Sequence, residues 1–126
     1  MKKILIIEDS VDIASSINDL LQEFNYEVAV AINGEQAIEA ARITQPDLIF
    51  CDVLMPRMNG FEVLKMLKAG EQTKHIPFVF LSAVAEKEMI QKGLRAGALN
   101  YIIKPFKISE LLSLIDEVFN KFESAS

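Results

Sequence analysis

The sequence predicts an α/β protein, a doubly wound parallel sheet of five strands with helices on both faces. Two observations carry this. Short strand-like runs alternate five times with segments of helical period, the pattern of a parallel sheet. Runs such as Leu48–Cys51 and Phe78–Leu81 are apolar throughout, as in strands buried on both sides. Right-handed crossovers then restrict how the strands can be ordered.

The elements follow in order. Ile4–Ile7 is the first strand, and Ile13, Ile17, Leu20, Leu21 and Phe24 mark a helix beginning near Val11, with Asp9 or Ser10 as its cap. Tyr26–Ile32 reads as the second strand. Asn33 and Gln36 make a capping box for a helix running through Ile43, and Pro46 closes the turn after it. Leu48–Cys51 is the third strand. Met55-Pro56 prevents an immediate helix, Asn59-Gly60 supplies a turn, and Phe61, Leu64 and Leu67 mark a helix ending near Gly70. Phe78–Leu81 is the fourth strand; Met89, Ile90 and Leu94 mark a short helix from Glu86, stopped by Ala96-Gly97. Leu99–Ile103 is the fifth strand. Ile108, Leu111, Leu112, Ile115, Phe119 and Phe122 mark the last helix, before a frayed tail, Glu123–Ser126. Taking Ile108, Leu112, Ile115 and Phe119 as its core stripe leaves Leu114 and Val118 as an apolar flank free for a partner.

At 126 residues and 51% hydrophobic content, the chain suits one domain, residues 1–126, with a core of about 3–122. A net charge of −5 argues against direct nucleic-acid binding. The single cysteine, Cys51, reads as a small core residue and fits a reducing cytosol. Met1-Lys2-Lys3 opens like a signal peptide, but Glu8-Asp9 cuts the apolar run far too early. No stretch approaches the ~20 apolar residues of a membrane helix, so the expectation is a cytoplasmic protein. His75 sits in a loop and reads as solvated.

Chemistry concentrates at the carboxyl ends of the strands, where open parallel sheets gather ligands. Glu8-Asp9 follows the first strand, Asp52 the third, Ser82 the fourth and Lys104 the fifth. Three clustered acids repel one another unless a cation or proton intervenes. Mg²⁺ suits such a set, because it accepts a few carboxylates and bridges to phosphate oxygens. Carbonyls of the loop after Asp52 would complete its shell, and Asp52 would accept a phosphoryl group. Singly, each residue has a plainer role. Asp9 caps a helix, Ser82 caps the helix near Ala85, and Lys104 is a surface charge before Pro105.

Together they are specific. Glu8-Asp9, Asp52 followed by Met55-Pro56-Arg57-Met58-Asn59-Gly60, Ser82-Ala83, and Tyr101-Ile102-Ile103-Lys104-Pro105-Phe106, each at a strand end, resemble the receiver domain of bacterial two-component response regulators over about Lys3 to Phe122. The resemblance implies a flavodoxin-like sheet of order 2-1-3-4-5. It implies that Asp52 is phosphorylated by a histidine kinase or histidine phosphotransfer protein, with Mg²⁺ held by Asp9, Asp52 and the Leu54 carbonyl directly and by Glu8 through water. Lys104 and Ser82 would bind the phosphoryl oxygens, and the Lys104–Pro105 peptide would be cis. Ser82 and Tyr101 would be the switch pair, Tyr101 turning inward on activation. An output partner would bind the face of the fourth helix, fifth strand and fifth helix, on a monomer or a phosphorylation-dependent dimer. Such a protein is a signalling switch rather than an enzyme with turnover. Ser82 stands where the family more often has Thr, and Glu8 where it more often has Asp.

Two enzyme-like alternatives share some of these parts. A phosphatase with an aspartyl-phosphate intermediate needs an acid two residues after the nucleophile, and that position is Leu54. A flavin carrier needs a Ser/Thr/Gly-rich phosphate loop after the first strand, where this chain is acidic. A docking-only relative of the receiver domain would have no use for the full acidic set. Leu54 and Val84, expected beside the line of attack on a phosphoryl group, offer a water no hydrogen bond. The phosphorylated state should therefore be long-lived.

Overall fold

The computed structural model describes the backbone of residues 1–124 and the side chains of residues 1–120. Ten elements alternate: β1 (Lys3–Ile7), α1 (Val11–Glu23), β2 (Glu27–Ala31), α2 (Gly34–Thr44), β3 (Leu48–Cys51), α3 (Gly60–Ala69), β4 (Phe78–Ser82), α4 (Lys87–Arg95), β5 (Asn100–Ile103) and α5 (Ile108–Ser124). The strands form one parallel sheet of order β2-β1-β3-β4-β5, as the sequence predicts. β2 and β5 are shorter than expected because they are edge strands, whose ends lack a second neighbour to pair with.

Strand side chains alternate between faces, and the core divides accordingly. Leu5, Ile7, Ile49, Cys51, Phe78, Phe80 and Tyr101 pack beneath α2 and α3 through Ala37, Ala41, Val63, Leu64 and Leu67. Their neighbours Ile4, Ile6, Leu48, Phe50, Val79, Leu81 and Ile102 face α1 and α5 through Ile17, Leu21, Leu111, Ile115 and Phe119. A strand apolar at every position is thus a strand serving two cores.

Local chemistry sets the helix starts. Ser10, rather than Asp9, caps α1 by accepting from the Ile13 N–H. Asn33 accepts from the Gln36 N–H at 2.8 Å, but Gln36 reaches back to the Ile32 N–H, one residue short of a true box. The complete capping box is at α3, between Asn59 and Glu62. Two glycines permit close approach. A Cβ on Gly60 would lie 2.2 Å from the Asp52 carbonyl oxygen, and one on Gly93 2.8 Å from the Phe80 ring.

The last helix departs from expectation. Leu114 and Val118 are buried with Leu111, Ile115 and Phe119, whereas Ile108 is 54% exposed and Leu112 only half-buried. The buried stripe therefore runs 111, 114, 115, 118, 119, the i, i+3, i+4, i+7, i+8 spacing of a broad face. Leu114 and Val118 are core, not a partner flank. The Phe122 side chain and the tail residues Ala125 and Ser126 lie outside the described residues; Glu123 and Ser124 belong to α5.

Candidate functional site

The strand register brings the predicted residues into one crevice. Ile7 lies opposite Cys51, so Glu8 and Asp52 leave the sheet side by side; Ser82 lies opposite Ile103, so Lys104 follows beside it. The ladder continues one step past the strands, with the Asp52 N–H donating to Ile7 O at 3.0 Å and the Lys104 N–H to Ser82 O at 2.9 Å. These bonds fix the backbone beneath the Asp52 and Lys104 side chains.

Carboxylate oxygens of Glu8, Asp9 and Asp52 lie within 4.8 Å of one another. Glu8 is buried and committed: one oxygen receives the Lys104 ammonium and the other the Ser10 N–H at 3.1 Å. Burial pushes the Glu8 carboxyl above its ordinary value, opposed by the hydrogen bonds from Lys104 and Ser10. Asp9 is exposed and has its carboxylate free to take a cation. Asp52 is recessed rather than open, its side chain 14% accessible. Its Oδ1 accepts from the Val53 N–H at 2.7 Å, with the Leu54 N–H at 3.4 Å, while Oδ2 is 3.4 Å from the Lys104 Nζ. An all-oxygen set with one exposed acid and one buried, cation-paired acid matches the donor chemistry of Mg²⁺. The Leu54 side chain stands at the rim, 65% exposed.

Ser82 is buried, its Oγ accepting from the Val84 N–H at 3.2 Å. It does not cap α4, which begins at Lys87 with no side-chain cap. Tyr101 is turned inward, 8% exposed, with its hydroxyl donating to the Val84 carbonyl. Burial raises its phenol above the ordinary value. Lys104–Pro105 is cis. Cys51 is fully buried, its thiol pushed well up by burial and by nearby Asp52, as befits a core residue. His75 is exposed in the loop before β4, away from these residues. The contributors that residue patterns miss are main-chain groups, the Ser10 and Val53 N–H and the Val84 carbonyl, because any side chain can stand above them.

A parallel 2-1-3-4-5 sheet with an acidic, lysine-bridged crevice at its carboxyl edge defines a class of phosphorelay signalling modules. The model of the response regulator receiver domain matches residues 4–116. The transcriptional regulatory protein PdtaR of Mycobacterium tuberculosis is 33% identical over 122 residues, which is 96% of this chain and 58% of PdtaR. The chain thus spans little more than half of that relative. The chemotaxis protein CheY4 of Vibrio cholerae superposes with a TM-score of 0.88 at 35% identity, covering 94% of this chain and 98% of CheY4. The receiver domain of the sensor histidine kinase PA1611 of Pseudomonas aeruginosa, solved with a magnesium ion coordinated in its active site cleft, superposes at 0.87 with 28% identity, over 94% and 98% of the two chains. This chain belongs to the response regulator receiver family, the signalling modules of two-component phosphorelays.

Proposed function

We propose that Asp52 is the phosphoacceptor of this receiver domain and that its crevice works with Mg²⁺. The observation that carries the reading is the Lys104 ammonium set between Glu8 and Asp52, beside an exposed Asp9. A carboxylate oxygen of Asp52 attacks the phosphorus of a phosphohistidine, the P–N bond breaks, and the electron pair leaves with the imidazole, yielding an acyl phosphate. The Val53 N–H orients the attacking carboxylate. Lys104 balances charge developing on the phosphoryl oxygens, and the Ser82 hydroxyl, two residues before Val84, donates to one of them. Asp9, Asp52 and the Leu54 carbonyl would hold Mg²⁺ directly and Glu8 through water; both Glu8 oxygens are already engaged, which favours the indirect role. When bound, the ion supplies charge neutralisation for the transferring group.

Acetyl phosphate labelling read by intact mass tests the assignment. One phosphoryl group is expected in wild type with Mg²⁺ and none in Asp52→Asn. Asp9→Ala should raise the Mg²⁺ requirement more than Glu8→Ala. Labelling that persists in Asp52→Asn, or equal effects at the two acids, would overturn these roles. The phosphatase reading predicts repeated turnover of small phosphate esters instead; the side chain two residues past Asp52 is an exposed leucine with no acid–base capacity.

The donor we propose is a histidine kinase or histidine phosphotransfer protein, and the output surface the α4–β5–α5 face. We assign to it the exposed apolar residues Leu94, Leu99, Ile103 and Ile108, in place of the buried Leu114 and Val118. Amide shifts on phosphorylation should be largest around these four residues. Shifts spread evenly over α1 and α2 as well would sink the idea.

A further inference from the structure

Between α3 and α4 lies a cleft of about 460 Å³, lined by Asn59, Phe61, Glu62, Lys65, Lys68, Lys92 and Ala96 and by none of the acids or the lysine of the crevice. Its size is within the range of small-molecule sites. In a chain of net charge −5 this cleft is cationic. Among the described residues none of its three ammonium groups pairs with a carboxylate within 4 Å. Its one acid is spoken for, because the Glu62 carboxylate accepts from the Asn59 N–H in the capping box of α3. Lys92 lies over the Phe61 ring at 4.6 Å, and Lys68 bonds the Lys74 carbonyl at 3.3 Å, its stem against Gly97. Lys65 is exposed at the rim. Three point charges around a largely apolar floor suit phosphate oxygens attached to an apolar or planar body.

We infer that this cleft binds an oligophosphate of the nucleoside type, its phosphates on Lys65, Lys68 and Lys92 and its ring system against Phe61 and Ala96. The cleft also has a physical route to Tyr101. The Phe61 ring meets Phe80 at 5.2 Å, and Phe80 meets Tyr101 at 5.6 Å, while α4 rests on the Phe80 ring through Gly93. A phosphate that draws Lys92 off Phe61 therefore shifts α4 at the point where it touches this aromatic row. The binding half of the inference is independent of Asp52; the coupling half rests on Tyr101 as the switch.

The test is a titration of isotope-labelled protein, in chelator and without Mg²⁺, with inorganic triphosphate, ATP and adenosine, followed by amide chemical shifts. Saturable shifts at Lys65, Lys68, Lys92 and Ala96 are expected with triphosphate and more tightly with ATP, but not with adenosine. Lys65→Gln and Lys92→Gln should each weaken binding by about tenfold, one charge-assisted contact apiece, while Lys92→Arg retains it. Both Gln variants should still accept a phosphoryl group on Asp52, so failure of the cleft and failure of the phosphoacceptor assignment are told apart. Absent shifts, unchanged affinity in the Gln variants, or shifts centred on Asp52 and Lys104 would overturn the site. ATP binding no tighter than triphosphate would remove the nucleoside from the proposal, and an unmoved Tyr101 amide would remove the coupling.

Discussion

We propose that Leu54 and Val84 set how long a phosphoryl group on Asp52 would last. Hydrolysis needs a water held in line behind the phosphorus, and orientation supplies much of such barriers. The Leu54 side chain is exposed at the crevice rim, and Val84 is half-buried with its carbonyl taken by the Tyr101 hydroxyl. Neither side chain can orient a water. One added hydrogen bond to the attacking water is worth about 1 kcal/mol, so Leu54→Asn or Val84→Glu should speed dephosphorylation roughly fivefold. Decay of the phosphorylated mass with time measures it, and variants no faster than wild type would refute the shielding argument. At this scale the sequence was highly legible: Glu8, Asp9, Asp52, Ser82 and Lys104 lie at or just beyond the carboxyl ends of strands whose register is fixed. The Tyr101 rotamer was not legible, since a hydroxyl bond to a main-chain carbonyl leaves no mark on residue 84.

Among the elements, α3 begins directly against the Asp52 backbone. Its first residue, Gly60, donates to the Val53 carbonyl at 2.8 Å and sits where a methyl group would strike the Asp52 carbonyl oxygen. Gly60→Ala should cost about 1–3 kcal/mol, the range for forcing atoms into a filled space, and should also slow labelling of Asp52 by tilting its backbone. Urea unfolding and acetyl phosphate labelling check the two effects separately; an alanine variant as stable as wild type would show that α3 can slide. The order of elements was readable from period alone, whereas the rotation of α5 was not. Its apolar residues fill more than half a turn, so several stripes fit the same letters. Contact with the sheet chooses the one through Leu114 and Val118 and leaves Ile108 outside.

For the molecule as a whole, both tyrosines report the folded state. Burial raises Tyr26, with Asp116 adding to it, and burial raises Tyr101; both start from an ordinary value of 10.0. The native state therefore keeps protons that the unfolded chain surrenders. The stability this contributes is whole below pH 10 and is lost as pH climbs through the raised values. With no tryptophan in the chain, phenolate absorbance reads this cleanly. Folded protein should ionise later than denatured protein, and Asp116→Asn should bring one of the two phenols part of the way back. Coincident curves for folded and denatured protein would contradict the burial of both rings. The architecture also separates what must stay from what is at liberty to drift. The one buried residue of α4 is Gly93, and its remaining positions are half-buried or exposed. Most of the outer surface of α4 is therefore open to substitution without loss of core packing, Lys92 of the proposed cleft excepted, whereas Glu8, Lys104 and Asp52 are tied to one another and cannot change singly at so little cost.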